Sequence, residues 1–317
     1  MTATGTSAPS TTPAGKSLAR PDSGRARIID RAATGMLWTV AVFVIVVLLT
    51  IIAHFVIASI PYFSLSFLFE DPSQTEIGGV GPLLWNSIYM LVLTLIITVP
   101  LGILGGIYMA EYAGEGRITS AIRLSQELIS SVPSIVVGLF GLALFVNRTG
   151  WGFTALGGAL ALSVFNLPLM SRLAEQAIRA VPDDERQASL ALGSTKWQGI
   201  QHVVLPLAIP GLVTGIVLTS GRIFGEAAAL IFTAGVATPA HYDFSNFSLT
   251  DPNSPWSPFR PATTLSVYIW ALNSEGLGTY WPQQADMSAM ILVAMVLIFN
   301  LSARGLGRTL QRRLTGG

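Results

Sequence analysis

Pro182-Asp-Asp-Glu-Arg-Gln187-Ala188-Ser189-Leu-Ala-Leu-Gly193-Ser-Thr-Lys196-Trp197-Gln-Gly-Ile-Gln-His-Val-Val-Leu205-Pro206 is a polar island in an otherwise greasy chain. Pro182 followed by three acids signals a helix start, because carboxylates complement the unpaired N–H groups of a first turn. Gln187 through Leu192 are mostly good helix formers, and Gly193 is a natural stop. Ser194 or Thr195 caps a second short helix, expected to run to His202, after which Leu205-Pro206 opens a long apolar run. The local object is a helix-turn-helix between two membrane spans, presenting small residues and one Trp.

Working outward, 51% of the 317 residues are apolar and only 11% are charged, with positive mean hydropathy. Soluble domains carry roughly 25% charged residues, so the chain reads as a membrane protein. It has no cysteine, which excludes disulfides and thiolate metal sites, and its three scattered histidines argue against an imidazole site. Residues 1–32 are rich in Ser, Thr, Pro, Gly and Ala and read as a disordered tail with a basic end. The run from Met36 to about Ile60 is too long for a signal-peptide core and long enough to span hydrocarbon. It is expected to be a retained first span, with its following loop completing residues 33–75.

Five further spans are expected, at about 84–108, 121–146, 152–172, 204–235 and 285–304. The last part of the fourth span is expected to continue as helix into the polar island. Pro100, Pro133, Pro168 and Pro210 interrupt these runs, as neighbouring helices permit, and glycines crowd them, as close helix packing requires. Of the eighteen Lys and Arg, all but Arg148, Arg222 and Arg260 fall in the N-tail, the 109–120 loop, the inner ends of the third and last spans, the 172–202 loop or the C-tail. The positive-inside rule then places both termini (the C-tail being 306–317) and the 182–203 loop in the cytoplasm. The loop 236–284 faces outward; its length and its Pro and aromatic content suit a partner contact, an interface rest or a flexible insertion. The expected fold class is an all-α polytopic membrane protein with six transmembrane helices, N-in and C-in.

Charged residues inside spans are the candidates for chemistry. Arg222 and Glu226, four apart, are expected to share one helix face, and Arg222 lies near mid-span, where a charge costs about 3 kcal/mol or more. Such a residue either locks the helix by pairing with Glu226 or offers a passing oxyanion a fork of donors, with Glu226 holding the fork. Arg172, at the inner end of the fourth span, reads on residue physics alone as an interface anchor. Arg123 and Glu127, again four apart, read as an ion pair at the start of the third span. No nucleophile, base and metal set clusters anywhere, and no glycine-rich phosphate loop of the Gly-x-x-x-x-Gly-Lys-Ser/Thr type occurs, so the chain reads as a non-catalytic subunit.

Gln187, Ala188, Ser189, Gly193, Val203, Leu205 and Pro206 sit at the spacing of Glu-Ala-Ala, three residues, Gly, nine residues, Ile, one residue, Leu-Pro. That pattern resembles the cytoplasmic coupling loop of type I ABC-importer permeases, with Gln187, Ser189 and Val203 as departures. Gly78-Gly-Val-Gly-Pro82, Tyr108-Met-Ala-Glu111-Tyr112, Val132-Pro-Ser-Ile-Val-Val-Gly138, Asn166 to Ala180 and Arg222 to Thr233 are similar to the phosphate-specific branch, its A-type member rather than its C-type partner. The usual Gly-Glu-Thr-Ala-Pro is replaced here by Gly225-Glu226-Ala-Ala-Ala.

The resemblance implies a permease core over residues 76–305. Gln187, Ala188, Ser189, Gly193, Lys196, Trp197, Leu205 and Pro206 would engage the ATPase, and Arg172, Arg222 and Glu226 would line the phosphate pathway. Implied partners are a homologous C-type permease, two ATP-binding subunits that hold ATP and Mg, an extracytoplasmic phosphate-binding protein and the lipid bilayer, without nucleic acid. The chain itself would hold no cofactor or metal. The expected location is the plasma (inner) membrane of a prokaryote. Competing readings are a permease for another oxyanion, sulfate or molybdate, and a secondary transporter using Arg222 and Glu226 as a relay. The last does not explain the loop spacing.

Overall fold

The computed structural model describes residues 23–73, 75–237, 242–276 and 278–315, and every described regular element is helical. Two units divide at Ile51 and Ile52. The first contains most of α1 (Ser23–Ser59), whose side chains from Met36 to Ile51 are apolar and exposed on almost every face. A helix that is hydrophobic all round belongs in hydrocarbon. Its hydroxyls are satisfied locally, Thr39 Oγ1 donating to Gly35 O (2.9 Å) and Thr50 Oγ1 to Val46 O (2.8 Å). The helix begins at Ser23, inside the stretch expected to be tail; residues 1–22 lie outside the described residues.

The second unit holds α2 (Gly81–Ile107), α3 (Arg117–Ser131), α4 (Ser134–Gly141), α5 (Ala155–Arg179), α6 (Asp183–Ala191), α7 (Lys196–Gly199), α8 (Leu205–Gly225), α9 (Ala228–Thr233), α10 (Leu265–Glu275) and α11 (Trp281–Thr315). Pro82 opens α2, where its missing N–H is harmless. Thr154 caps α5, its Oγ1 accepting from Gly157 N at 3.0 Å. π-Helical segments continue α2 to Tyr112 and join α7 to α8, so Lys196–Gly225 is one continuous rod. Among the described residues five helices are long and apolar enough to cross a membrane, and six if a bent pair counts as one.

That bent pair corrects the span expected at 121–146. Val132-Pro133 turns the chain by 98° between α3 and α4, because the residue before a proline is pushed out of the helical region. α3 buries no residue, whereas α4 packs Gly138 directly on Ala229. Other boundaries shift as well. The helix expected to stop at His202 runs on to Gly225, the span expected at 204–235 breaks at Glu226-Ala227, and α11 carries helix to Thr315 through the expected C-tail. The fourth span reaches Arg179 but does not continue into the island; Val181-Pro182 breaks it.

The most extensive helix contact joins α2 and α5, which run parallel: Met90 lies beside Gly158, Gly102 beside Met170 and Gly106 beside Ala174. A Cβ on Gly106 would sit 2.5 Å from Ala174 Cβ and 2.8 Å from the Glu175 backbone N, so only glycine permits this approach. α8 and α11 run antiparallel, with Phe224 edge-on to Phe299 (centroids 5.7 Å) and Gly307 against Val213.

The stretch 242–264 is packed, not loose. Arg260 is fully buried and donates to Asn86 Oδ1 (2.7 Å), Tyr242 OH (2.6 Å) and Pro255 O (2.9 Å), while its own carbonyl accepts from Ala155 N (2.8 Å). Trp85, Asn86, Ser87 and Tyr89 of α2 each bond this stretch or the start of α10. Burial lowers the Arg260 pKa, opposed by attraction to Tyr242 and Tyr89, and burial raises that of Tyr242. The neutral acceptors keep a buried cation tolerable by hydrogen bonding alone.

Gly106→Leu is expected to destabilise the α2–α5 contact by about 1–3 kcal/mol, the usual cost of overpacking. A thermal melt of the purified chain in detergent checks it; an unchanged midpoint would mean that the two helices can part at no cost.

Candidate functional site

The polar island folds as its local signals dictate. Pro182 caps α6 with Asp183, Asp184 and Glu185 in its first turn, and Gly193 turns the chain at φ +85°, the left-handed region that glycine enters freely. Thr195 and Gln198 form a reciprocal capping box that opens α7. Gln187, Ala188, Leu190, Leu192, Lys196 and Trp197 are exposed, Leu192 by 90%, so the tip presents an uncovered apolar ridge. Ser189 instead points inward, its hydroxyl 2.7 Å from Ser194 Oγ, and so pins the turn from beneath. Leu205 and Pro206 are half-buried at the start of α8, Leu205 against the Ile200–Val204 cluster.

One residue that the spacing did not mark holds this island to the bundle. The Arg186 guanidinium meets the Glu111 carboxylate and donates to Ile178 O (2.5 Å). Lys196 Nζ donates to Glu111 O and lies 4.8 Å over the Tyr112 ring, and Arg179 Nη2 donates to Met109 O (2.8 Å). The π-helical end of α2 therefore receives three cations, from α5, α6 and α7. Both side chains of the Glu111–Arg186 pair are largely buried, so their attraction is weakly screened. The local sequence hides this, because Arg186 stands beside three acids and its i−3 neighbour Asp183 is only 3.5 Å away.

Arg172 and Arg222 lie on one track. The Arg222 guanidinium stacks 3.7 Å above the Phe165 ring of α5. Arg172 follows Phe165 by seven residues, on the same face about 10 Å further along the helix. Arg172 is exposed and lines an open polar cavity of about 980 Å³ with Arg123, Glu127, Glu175, Arg179 and the 113–116 turn. Glu175, one of the few buried acids, accepts from Arg123 Nη2 (2.8 Å) and from Arg179 Nε (3.0 Å). Arg123 thus pairs across to α5 rather than along α3 with Glu127. Arg172 joins no ion pair among the described residues and is left to the cavity.

Glu226 does not continue the helix of Arg222. Its backbone is extended, its Oε1 accepts from Ala229 N (3.2 Å) at the start of α9, and its carbonyl accepts from Ser266 Oγ (2.9 Å). The shared helix face expected for Arg222 and Glu226 is therefore absent, and no ion pair within 4.0 Å joins them among the described residues. Glu226 fixes the joint of α8, α9 and α10. No group of three His, Cys, Asp or Glu able to hold a metal occurs among the described residues.

Residues 102–316 match the family of binding-protein-dependent transport system inner membrane components, and the chain belongs to that family. It is 46% identical over 290 residues to the probable ABC transporter permease protein YqgI of Bacillus subtilis, covering 91% of this chain and 98% of that one. It is 35% identical over 237 residues to the phosphate transport system permease protein PstA of Xylella fastidiosa, covering 74% and 77%. Among solved structures, a bacterial alginate ABC transporter in complex with its pentasaccharide-bound periplasmic protein shares the fold, with TM-score 0.63 at 17% identity over 91% of this chain and 98% of that one. The chain is accordingly a multi-pass inner-membrane component of an ABC importer, a transport subunit rather than a catalyst.

Glu111→Gln removes the charge that Arg186 meets, a hydrogen bond to an ionised group of roughly 2 kcal/mol. Amide hydrogen exchange over residues 183–199 is expected to accelerate while α5 stays protected. Unchanged exchange in the island would show that other contacts hold it.

Proposed function

We propose that this chain is the A-type permease of an ATP-driven importer of inorganic phosphate. It pairs with a homologous C-type permease, rests on two ATP-binding subunits that carry ATP and Mg, and receives phosphate from an extracytoplasmic binding protein. Both termini and the Gln187–Pro206 island lie in the cytoplasm. The island's exposed ridge of Ala188, Leu190, Leu192 and Trp197 enters the ATPase. Relatives bearing the phosphate transport name are 31–35% identical, which supports this substrate over other oxyanions.

The observation that carries the proposal is the arginine track along α5. Only part of the cost of withdrawing Arg222, in the last turn of α8, from water is returned by the ring beneath it, roughly 1–2 kcal/mol. The remainder favours an anion at Arg222, and Arg guanidinium matches phosphate oxygens with paired donors. From there phosphate passes to Arg172 and the open cavity. Movement of the ATPases pushes on α6 and α7. Arg186, Lys196 and Glu111 transmit that push to the end of α2, and through the α2–α5 contact to the track.

Two substitutions test the parts separately. A Cβ at Gly193 meets no atom within 4 Å, so Gly193→Asp alters what the ridge can dock against more than the fold, at about 1 kcal/mol of backbone strain. The complex is expected to assemble and hydrolyse ATP with uptake lost; normal uptake would remove the docking role. Arg222→Gln is expected to abolish uptake while the subunits still co-purify, and retained uptake would reduce Arg222 to packing.

A further inference from the structure

Arg304 and Arg308 are used by neither the loop nor the track. One turn apart on α11, they line a groove of about 370 Å³ against Pro210, Val213 and Thr214 of α8. The groove exists because Gly307 lets the two helices touch: a Cβ there would lie 2.8 Å from Val213 Cγ1. It sits at the end of the bundle that carries the polar island, since α8 starts at Leu205 and α11 runs back toward it. Both guanidinium groups are exposed, and neither joins an ion pair among the described residues. No acidic side chain lines the groove, and none follows Asp286 in the sequence.

The walls say which anion fits. Leu297, Leu301, Arg304 and Arg308 follow steps of four, three and four, so one stripe of α11 is apolar along its length and basic at its end. Leu218, Thr214 and Pro210 form the matching exposed stripe of α8. A soluble anion needs only the arginines. A molecule with a phosphate head and a hydrocarbon tail uses both the basic end and the exposed leucines beside it.

We propose that the α8–α11 groove binds an anionic phospholipid. The phosphodiester lies between Arg304 and Arg308, where paired N–H donors match its oxygens, and the acyl chains run along Leu218, Leu301 and Leu297. Basic recesses between membrane helices favour such head groups. The site is distinct from the arginine track on α5, and its occupant is not transported.

The test is native mass spectrometry of the full chain in detergent, titrated with dioleoyl phosphatidylglycerol or dioleoyl phosphatidylcholine. Phosphatidylglycerol is expected to be retained in preference, and the Arg304→Gln/Arg308→Gln variant to lose roughly tenfold in its retention. Thr214→Trp, which fills the groove and leaves the charges in place, is expected to lose it as well, and this keeps the test decisive if the double variant folds poorly. Arg312→Gln/Arg313→Gln is expected to bind as the native chain does. Equal retention of the two lipids, unchanged binding in Thr214→Trp, or an equal loss in the Arg312 and Arg313 variant would overturn the proposal. Excess inorganic phosphate is expected to leave the lipid bound; displacement would mean that the pair serves a soluble anion, which also overturns it.

Discussion

The contact of α2 with α5 is the constraint from which the rest follows. Gly102 and Gly106 let two parallel helices approach until Met170 and Ala174 sit where side chains would otherwise stand. In hydrocarbon there is no hydrophobic gain from pairing helices, so close van der Waals packing between small residues must supply the attraction. That approach sets the far end of α2, Tyr108–Tyr112, beside the far end of α5, within reach of Arg179, Arg186 and Lys196. The position of the polar island is thus decided inside the bundle by glycines distant from it in sequence. A push on α6 and α7 has a stiff path inward because of them.

Each charge in this greasy chain is handled by a different device. Arg260 is buried and accepts the cost of desolvation because backbone carbonyls, an amide and a phenol satisfy its donors. Glu175 is buried and shared by two arginines, so removing either leaves the other. Arg222 has a ring beneath it and no carboxylate within pairing distance among the described residues. A cation supported that weakly is open to an anionic partner, which is the role the proposed pathway gives it. Arg172 is exposed over an open cavity and, in the proposed pathway, is the anion's next partner.

The parts legible in the sequence were those written in local or cumulative signals. Span hydropathy, the proline-and-acid start at Pro182, the glycine stop at Gly193 and the threonine cap before Lys196 all act within a few residues, and each appears in the structure. Misreadings came where a local rule met a tertiary override. The four-residue spacing of Arg123 and Glu127 suggested a pair, but Glu175 lies across from Arg123 on α5 and is the better-buried acceptor. Arg222 and Glu226 share a face only if the helix persists, and it stops at Gly225 because Glu226 serves α9 instead. Glu111 carried no spacing signal; its role exists only once α2 and α5 bring it to Arg186. Arg260 looked like one charge in an outward loop, and nothing local announced that Asn86 and Tyr242 would enclose it.

The central claim is that this chain passes phosphate in a complex driven by ATP. Its most direct test is uptake of labelled phosphate into liposomes carrying the complex that co-purifies with this chain, with ATP on the ATPase side and excess sulfate and molybdate as competitors. ATP-dependent uptake that resists both competitors is the expected result. Uptake that runs on an ion gradient without ATP, or that sulfate or molybdate abolishes, would contradict the account.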